Sequence, residues 1–238
     1  MKPRYLQVEN AHILYDAARL EHAAPSLFEP HAWQAQGGAT SEARGRGSVS
    51  FVRDVERVYV LRHYRRGGLF GPLLGDHYLW TGLARTRAWR EFQLLAEMYR
   101  AGLPVPRPVA AQVVRAGLRY RADLLTEAIA EARPLADLWR LDAVPDEAWP
   151  RIGACLRRFH RSGIYHADLN AHNVLLAGDQ VYVLDFDRGR RRPPGAWQAR
   201  NLQRLQRSLR KLAPSDVEGR LSRPWQALLA GYRADSAP

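Results

Sequence analysis

Lysine, cysteine and long apolar runs are scarce in this 238-residue chain, and each scarcity excludes a class of protein. Lysine occurs only at Lys2 and Lys211, so a G-x-x-x-x-G-K-[ST] phosphate-binding loop cannot be present. The single cysteine, Cys155, excludes an internal disulfide and is typical of a reducing compartment. No apolar run reaches the ~18–20 residues that span a bilayer, and the N-terminus lacks the apolar segment of a secretory signal. The sequence predicts a cytosolic protein, or one that lies on a membrane from the cytosolic side.

Positive charge is abundant, with a formal net charge of +12 and a pI near 10.5. This balance predicts attraction to polyanions such as nucleic acid, anionic lipid headgroups or a phosphorylated substrate. The basic residues are almost all arginine, a bias that a GC-rich genome would also produce. A composition of 46% hydrophobic and 25% charged residues is ordinary for a globular protein and argues against disorder.

Hydrophobic periodicity gives an approximate order of elements. Residues 1–36 show no clear period, whereas "VSFVRD" and "RVYVLRH" predict a β-hairpin and the segment 86–101 predicts an amphipathic helix. A second hairpin is predicted to turn near Gly117. The elements predicted after it are helices over 135–140 and 146–161, short strands at "VLLA" and "VYVLD", and a helix over 197–212. Strands with one helix, followed by helices with a short hairpin, predict two lobes joined near 126–133.

The most polar stretch of the chain directly precedes one of these strands. It reads "HADLNAHNVLL" from His166 to Leu176, and "VYVLDFD" follows from Val181 to Asp187. Phosphoryl transfer needs a carboxylate that orients or deprotonates the attacking hydroxyl, and oxygen ligands for Mg²⁺. Asp168 can do the first task, and Asn173 with Asp185 can do the second. The spacing H-x-D-x-x-x-x-N, followed by a strand that ends in D-F, is typical of a protein kinase.

Three other interpretations of this stretch compete with the kinase interpretation. The loop aspartate could only cap backbone N–H groups, which is common in turns. A metal site could be formed by His160, His166, Asp168 and His172, but that spacing matches no common zinc pattern. A nucleophilic triad has no support in these residues. The complete pattern, in order and at the right separation, favours the kinase interpretation.

Five segments together resemble the Kdo kinase family, the lipopolysaccharide-core sugar kinases related to heptose kinases and more distantly to protein kinases. They are "GIYHADLNAHNVLL", "VYVLDFD", "VLRHYRRGG", "WREFQLL" with "GLPVPRPVAA", and "NLQRLQRSLRKL". The resemblance extends from about Gly45 to Leu212. It implies a bilobal, protein-kinase-like α+β fold, with a β-rich nucleotide-binding lobe over 1–126 and a mostly helical catalytic and acceptor-binding lobe over 127–238.

The family's functional residues map onto particular positions of this chain. The resemblance implies that Asp168 is the catalytic aspartate and that Asn173 and Asp185 hold Mg²⁺. It places Glu91 as the acid that pairs with the strand cation of the upper lobe. Arg62 stands where protein kinases have lysine, and a permanently charged arginine can also bind phosphate and a carboxylate.

Several departures from the protein-kinase pattern are visible. No G-x-G-x-x-G motif is present, and Gly45 with Gly47 in "GRG" is the candidate for the loop that covers the nucleotide phosphates. The loop reads H-A-D rather than H-R-D, and D-F-D replaces D-F-G. These differences predict a small-substrate kinase without activation-loop control.

The resemblance implies ATP-dependent phosphorylation of the 4-hydroxyl of 3-deoxy-D-manno-octulosonic acid (Kdo) on a Kdo-lipid A precursor. The resemblance also predicts a peripheral protein on the cytoplasmic side of the bacterial inner membrane. The anionic surface of that membrane would attract the basic segment "RGRRRPPG" (188–195) and the arginines of 200–212. A solvated helix face would explain the same charges. The alternative acceptors are a heptose or an aminoglycoside. No nucleic-acid partner is predicted, because no nucleic-acid-binding motif is recognised and the catalytic positions are intact.

Overall fold

The computed structural model describes residues 1–35, 40–42, 49–54, 56–65, 76–213 and 217–234. The chain forms two compact units. The first comprises Met1–Arg100 and Pro106–Ala128, and the second comprises Ala101–Val105 and Ile129–Pro238.

Within its described residues, the first unit is an antiparallel sheet with two helices. Its eight strands are β1 (Pro3–Val8), β2 (Ala11–Asp16), β3 (Thr40–Glu42), β4 (Val49–Arg53), β5 (Val58–His63), β6 (Tyr78–Leu79), β7 (Pro108–Ala116) and β8 (Arg119–Glu127). They follow the order β1-β2-β7-β8-β5-β4-β3, with β6 paired to β8. The helices are α1 (Pro30–Ala35) and α2 (Arg87–Arg100).

The alternation of side chains along β5 determines which of them are buried in the core and which point to the opposite face of the sheet. Tyr59 and Leu61 are buried in the core of the sheet, as alternation predicts. Arg62 therefore points the other way from Leu61. Helix α2 packs against β7 and β8 and buries Phe92, Leu95 and other apolar residues at helical spacing. This packing fixes Glu91, one residue before Phe92, in the same buried face.

The first strands of the chain have no counterpart in the sequence prediction for residues 1–36. β1 and β2 form a hairpin in which Pro3 is opposite Asp16 and Val8 is opposite Ala11. The missing period has a physical cause. β2 is buried on nearly every residue because it lies between β1 and β7, whereas β1 is an edge strand that is almost entirely exposed. Neither strand therefore shows the apolar–polar alternation that marks a half-buried strand.

The second unit is mostly helical. Its helices are α3 (Leu135–Arg140), α4 (Ala148–Arg161), α5 (Trp197–Leu212) and α6 (Val217–Arg233). Its short strands are β9 (Arg133–Pro134), β10 (Ile164–Tyr165), β11 (Val174–Ala177), β12 (Gln180–Val183) and β13 (Arg190–Arg191). β12, β11 and β9 form one antiparallel sheet, and β10 pairs with β13.

Helix α6 was not predicted, because Pro224 and two glycines interrupt its pattern. One of these glycines permits its close packing on α4. A Cβ atom built on Gly153 would lie 2.0 Å from the carbonyl oxygen of Leu228, and one on Gly231 would lie 2.0 Å from that of Pro150. Glycine at these two positions allows the helix backbones to approach. Within the part of the chain that the structure describes, no helix combines the length and apolar composition needed to cross a membrane.

Candidate active site

The polar loop between β10 and β11 is organised by a buried histidine. His166 is 4% exposed, and its Nε2 lies 2.8 Å from the carbonyl oxygen of Leu184. Its Nδ1 accepts a hydrogen bond of 3.1 Å from the backbone N–H of Asp168. These two contacts require the neutral tautomer with hydrogen on Nε2, and burial lowers the pKa of the imidazole accordingly. His166 therefore ties the Asp168 backbone to the end of the β11–β12 hairpin.

Asn170 completes the turn that presents Asp168. Its side-chain oxygen accepts a hydrogen bond of 2.9 Å from the His172 N–H and so caps a short 3₁₀ turn, Ala171–Asn173. Its Nδ2 donates to the backbone oxygen of Asp168 at 3.0 Å and to the carboxylate oxygen Oδ2 at 3.2 Å. The Asp168 side chain is nevertheless 63% exposed. A fixed backbone with an exposed carboxylate is suited to a base that must reach a substrate hydroxyl.

Asn173 and Asp185 lie at the same end of the β11–β12 hairpin. The Nδ2 of Asn173 donates to the backbone oxygen of Asp168 at 3.0 Å, so the amide oxygen is the atom that can bind a cation. The backbone N–H of Leu184 donates to the carbonyl oxygen of Asn173 at 2.9 Å. Asp185 directly follows Leu184, so this bond keeps it at the same end of the hairpin as Asn173. Asp185 is exposed and has a φ of 62°, a left-handed conformation that aspartate adopts more readily than most residues.

This donor set fits Mg²⁺. One amide oxygen and one carboxylate are hard oxygen ligands, and Mg²⁺ keeps several water molecules when only one or two protein groups bind it. Within the described ranges there is no group of three or more His, Cys, Asp or Glu arranged to hold a metal ion. His160, which belonged to the alternative metal site, is instead buried, with its Nδ1 2.8 Å from the Tyr232 hydroxyl.

Helix α5 holds the loop through side chains on one of its faces. Asn201, which is 2% exposed, donates through Nδ2 to the His166 carbonyl oxygen at 2.7 Å. Ser208 Oγ accepts a hydrogen bond of 3.1 Å from the Ala171 N–H. Between them, Arg204 Nη1 donates to the Oδ1 atom of Asp168 at 2.9 Å. The positions 201, 204 and 208 recur at helical spacing, so one face of α5 supports the whole loop.

The first unit contains the second predicted cluster, centred on Glu91. The guanidinium of Arg62 forms an ion pair with the Glu91 carboxylate, which is 2% exposed. Tyr64 donates through its hydroxyl to Glu91 Oε2 at 2.5 Å and accepts from Arg62 Nη2 at 2.9 Å. Burial raises the pKa of the Tyr64 phenol well above its ordinary value. The tyrosine therefore stays a neutral donor, and Arg62 is held by two oxygen atoms.

Gly45 and Gly47, predicted to cover the nucleotide phosphates, lie outside the described residues. The residues of the two clusters that the sequence does not single out include Tyr64, Asn170 and Arg204. Tyr64 continues the alternation of Val60 and Arg62, a signal that could have identified it. Asn170 occupies a recognisable capping position. Arg204 had no comparable signal, because 36 residues separate it from Asp168.

The chain is similar in sequence to proteins of one kinase family. A family model for the lipopolysaccharide kinase (Kdo/WaaP) family matches residues 30–232. A 3-deoxy-D-manno-octulosonic acid kinase of Stenotrophomonas maltophilia is 48% identical over 202 residues, which cover 84% of this chain and 80% of the relative. One of Vibrio parahaemolyticus is 42% identical over 203 residues, 85% of each chain.

Two solved structures are similar in fold. A glucosamine kinase in complex with glucosamine, ADP and inorganic phosphate gives a TM-score of 0.55 at 13% identity, covering 97% of this chain and 81% of the other. WaaP in complex with acyl carrier protein gives 0.54 at 18% identity, covering 85% and 80%. The predicted α+β, kinase-like fold is confirmed.

Proposed function

This chain belongs to the lipopolysaccharide kinase (Kdo/WaaP) family, and we propose that it transfers the γ-phosphoryl group of ATP to the 4-hydroxyl of Kdo on a Kdo-bearing lipid A precursor. The curated relatives at 42–48% identity are named 3-deoxy-D-manno-octulosonic acid kinases. The observation that carries the proposal is the Asp168 loop. Its carboxylate is exposed, while its backbone is fixed by His166, Asn170 and Asn173.

In this proposal Asp168 acts on the acceptor. Its carboxylate accepts the hydrogen bond of the sugar hydroxyl and takes the proton as the new oxygen–phosphorus bond forms and the bond to ADP breaks. A loop that keeps the carboxylate in place without burying it lowers the cost of orienting the reacting hydroxyl.

Asn173 and Asp185 would hold Mg²⁺, which neutralises charge on the transferred phosphoryl group when it is bound. Arg62 would bind nucleotide phosphate, and Glu91 would orient the guanidinium of Arg62. The buried acceptor pair of Glu91 and Tyr64 supports this assignment, because it restricts a flexible arginine to one geometry. Gly45 and Gly47 are proposed to lie over the phosphates. These roles correspond to a nucleotide-binding lobe over 1–126 and a catalytic and acceptor-binding lobe over 127–238.

A membrane-embedded acceptor requires contact with the membrane surface. The exposed residues Arg188, Arg190 and Arg191 provide positive charge in the second unit. Basic residues near an anionic membrane contribute roughly 1 kcal/mol each, so a few are sufficient for reversible binding. We therefore place the protein peripherally on the cytoplasmic face of the bacterial inner membrane.

The proposal is tested by incubating the protein with labelled ATP and one of three acceptors, and by measuring transfer of the label. The acceptors are a Kdo-bearing lipid A precursor, a heptose-bearing core saccharide and an aminoglycoside. Transfer to the Kdo acceptor is expected, and Asp168→Asn is the matched inactive control. Transfer to heptose or aminoglycoside but not to Kdo would show that the acceptor is wrong although the fold and reaction class are right.

A further inference from the structure

Arg204 stands apart from the other residues that hold the catalytic loop, because it contacts a side chain rather than the backbone. Asn201 and Ser208 bind main-chain atoms of the loop, whereas Arg204 donates through Nη1 to the Oδ1 atom of Asp168. The two side chains are 46% and 63% exposed. An ion pair with this much exposure adds little to folding stability. Arg204 is therefore not explained by a need to fix the loop, which the backbone contacts already meet.

The guanidinium of Arg204 retains unused donors. Arginine carries five N–H donors in a rigid fork, and one nitrogen of Arg204 is engaged with Asp168 in the described part of the chain. Asp168 Oδ1 accepts from Arg204, while Oδ2 accepts from Asn170. The remaining donors can bind a second carboxylate close to Asp168 without breaking the first contact.

The surroundings of Arg204 favour an anion. Helix α5 contains no aspartate or glutamate. Arg200, Arg204, Arg207 and Lys211 follow one another at intervals of four, three and four residues, and all four are exposed. Helical spacing puts them in one stripe, and Arg204 is the member at the catalytic loop. Four cations without an intervening acid create a positive potential along this face of the helix.

We propose that Arg204 binds the carboxylate of the acceptor sugar acid and so orients its reacting hydroxyl toward Asp168. This inference rests on the proposed function, since Asp168 is there the group that meets the hydroxyl. A sugar acid brings its own carboxylate to the site, and a bidentate arginine–carboxylate contact gives orientation as well as affinity. A phosphate of the lipid portion has similar chemistry, so the test separates the two anions.

The test uses wild type, Arg204→Gln and Arg204→Lys with two small acceptors: the methyl glycoside of Kdo and the methyl ester of the same glycoside. Neither acceptor carries phosphate, and only the first carries a carboxylate. Wild type is expected to show a KM for the acid about 10- to 100-fold below that for the ester, the size of one charge-assisted contact. Arg204→Gln should raise the KM for the acid by that factor, leave that for ATP unchanged, and no longer distinguish acid from ester.

Two variants serve as controls. Arg223→Gln removes the same charge from an arginine that is 90% exposed on α6, and it should behave as wild type. Arg204→Lys keeps the charge but not the fork, and it should recover part of the preference for the acid. Thermal unfolding of each variant shows that the fold is retained.

Three outcomes would overturn the inference. One is an unchanged KM for the acid in Arg204→Gln; another is a variant that still prefers the acid by the wild-type ratio. A fall in kcat alone would show that Arg204 acts on Asp168 or on phosphate and not on the acceptor. Failure of wild type to phosphorylate any Kdo acceptor would be a different result, because it overturns the proposed function and this inference with it.

Discussion

The ion pair of Arg62 and Glu91 gives a prediction that separates stability from nucleotide binding. Arg62→Met keeps the apolar stem of the side chain and removes its charge. The carboxylate of Glu91 is 2% exposed and its partner arginine is 23% exposed, so the substitution removes a cation from beside a buried anion. Breaking a buried pair in this way costs ~3–5 kcal/mol, and we expect about 2–4 kcal/mol because Tyr64 still donates to the same carboxylate.

Adding Glu91→Gln to this variant removes the buried charge as well. The double variant should recover stability to within ~1 kcal/mol of wild type, because a neutral glutamine removes the cost of burying the carboxylate charge at position 91. The KM for ATP should stay ~10- to 100-fold above the wild-type value in both variants, since both lack the cation proposed to bind phosphate. Denaturant unfolding and steady-state kinetics measure the two effects on the same samples.

Either of two results would refute this reasoning. Unchanged stability of Arg62→Met would show that the pair does not depend on Arg62 for neutralisation. Recovery of the ATP KM in the double variant would show that Arg62 serves only to neutralise Glu91.

Three further predictions concern the second unit. Asp168→Asn should lower kcat by a factor of about 10²–10⁴. It should change the free energy of unfolding by less than ~1 kcal/mol, because the side chain is 63% exposed and its ion pair lies at the surface. Near-normal turnover of this variant would exclude the catalytic role of Asp168. Burial lowers the pKa of His160 from 6.5 to about 4, so the unfolded chain binds the proton more readily. The free energy of unfolding should therefore fall by ~2–3 kcal/mol as the pH is lowered from 6.5 to 4.5. An equally steep fall in the His160→Gln variant would show that His160 is not its cause. Gly153→Ala should cost at least ~3 kcal/mol, because its Cβ would lie 2.0 Å from the Leu228 carbonyl oxygen; Gly195→Ala, whose Cβ would meet nothing closer than 3.8 Å, is the control.

The segments with clear periods were predictable. Helices α3 and α5 occupy the predicted ranges, and the β4–β5 and β7–β8 hairpins lie where alternation placed them. The β1–β2 hairpin could not be found, because one strand is buried on nearly every residue and the other is almost entirely exposed. Helix α6 was missed because Pro224 and its two glycines interrupt the pattern, and one of them, Gly231, serves a contact with α4, which is distant in sequence.

The candidate site divides in the same way. Asp168, Asn173 and Asp185 lie close in sequence and have recognisable spacing, so they could be singled out together. The supporting contacts are long-range: Asn201, Arg204 and Ser208 reach the loop from 35 to 37 residues away. The partners of these side chains depend on how α5 packs, and the local sequence pattern does not determine that packing. The roles of the site residues stay predictions that the variants above address.

The central claim is tested most directly by locating the new phosphate. Wild type and Asp168→Asn are incubated with ATP, Mg²⁺ and a Kdo-bearing lipid A precursor, and the product is examined by phosphorus–proton correlation spectroscopy. We expect one new phosphate on the 4-hydroxyl of Kdo, formed by wild type and almost absent with Asp168→Asn. A phosphate on another sugar or on lipid A, or equal transfer by both proteins, would contradict it.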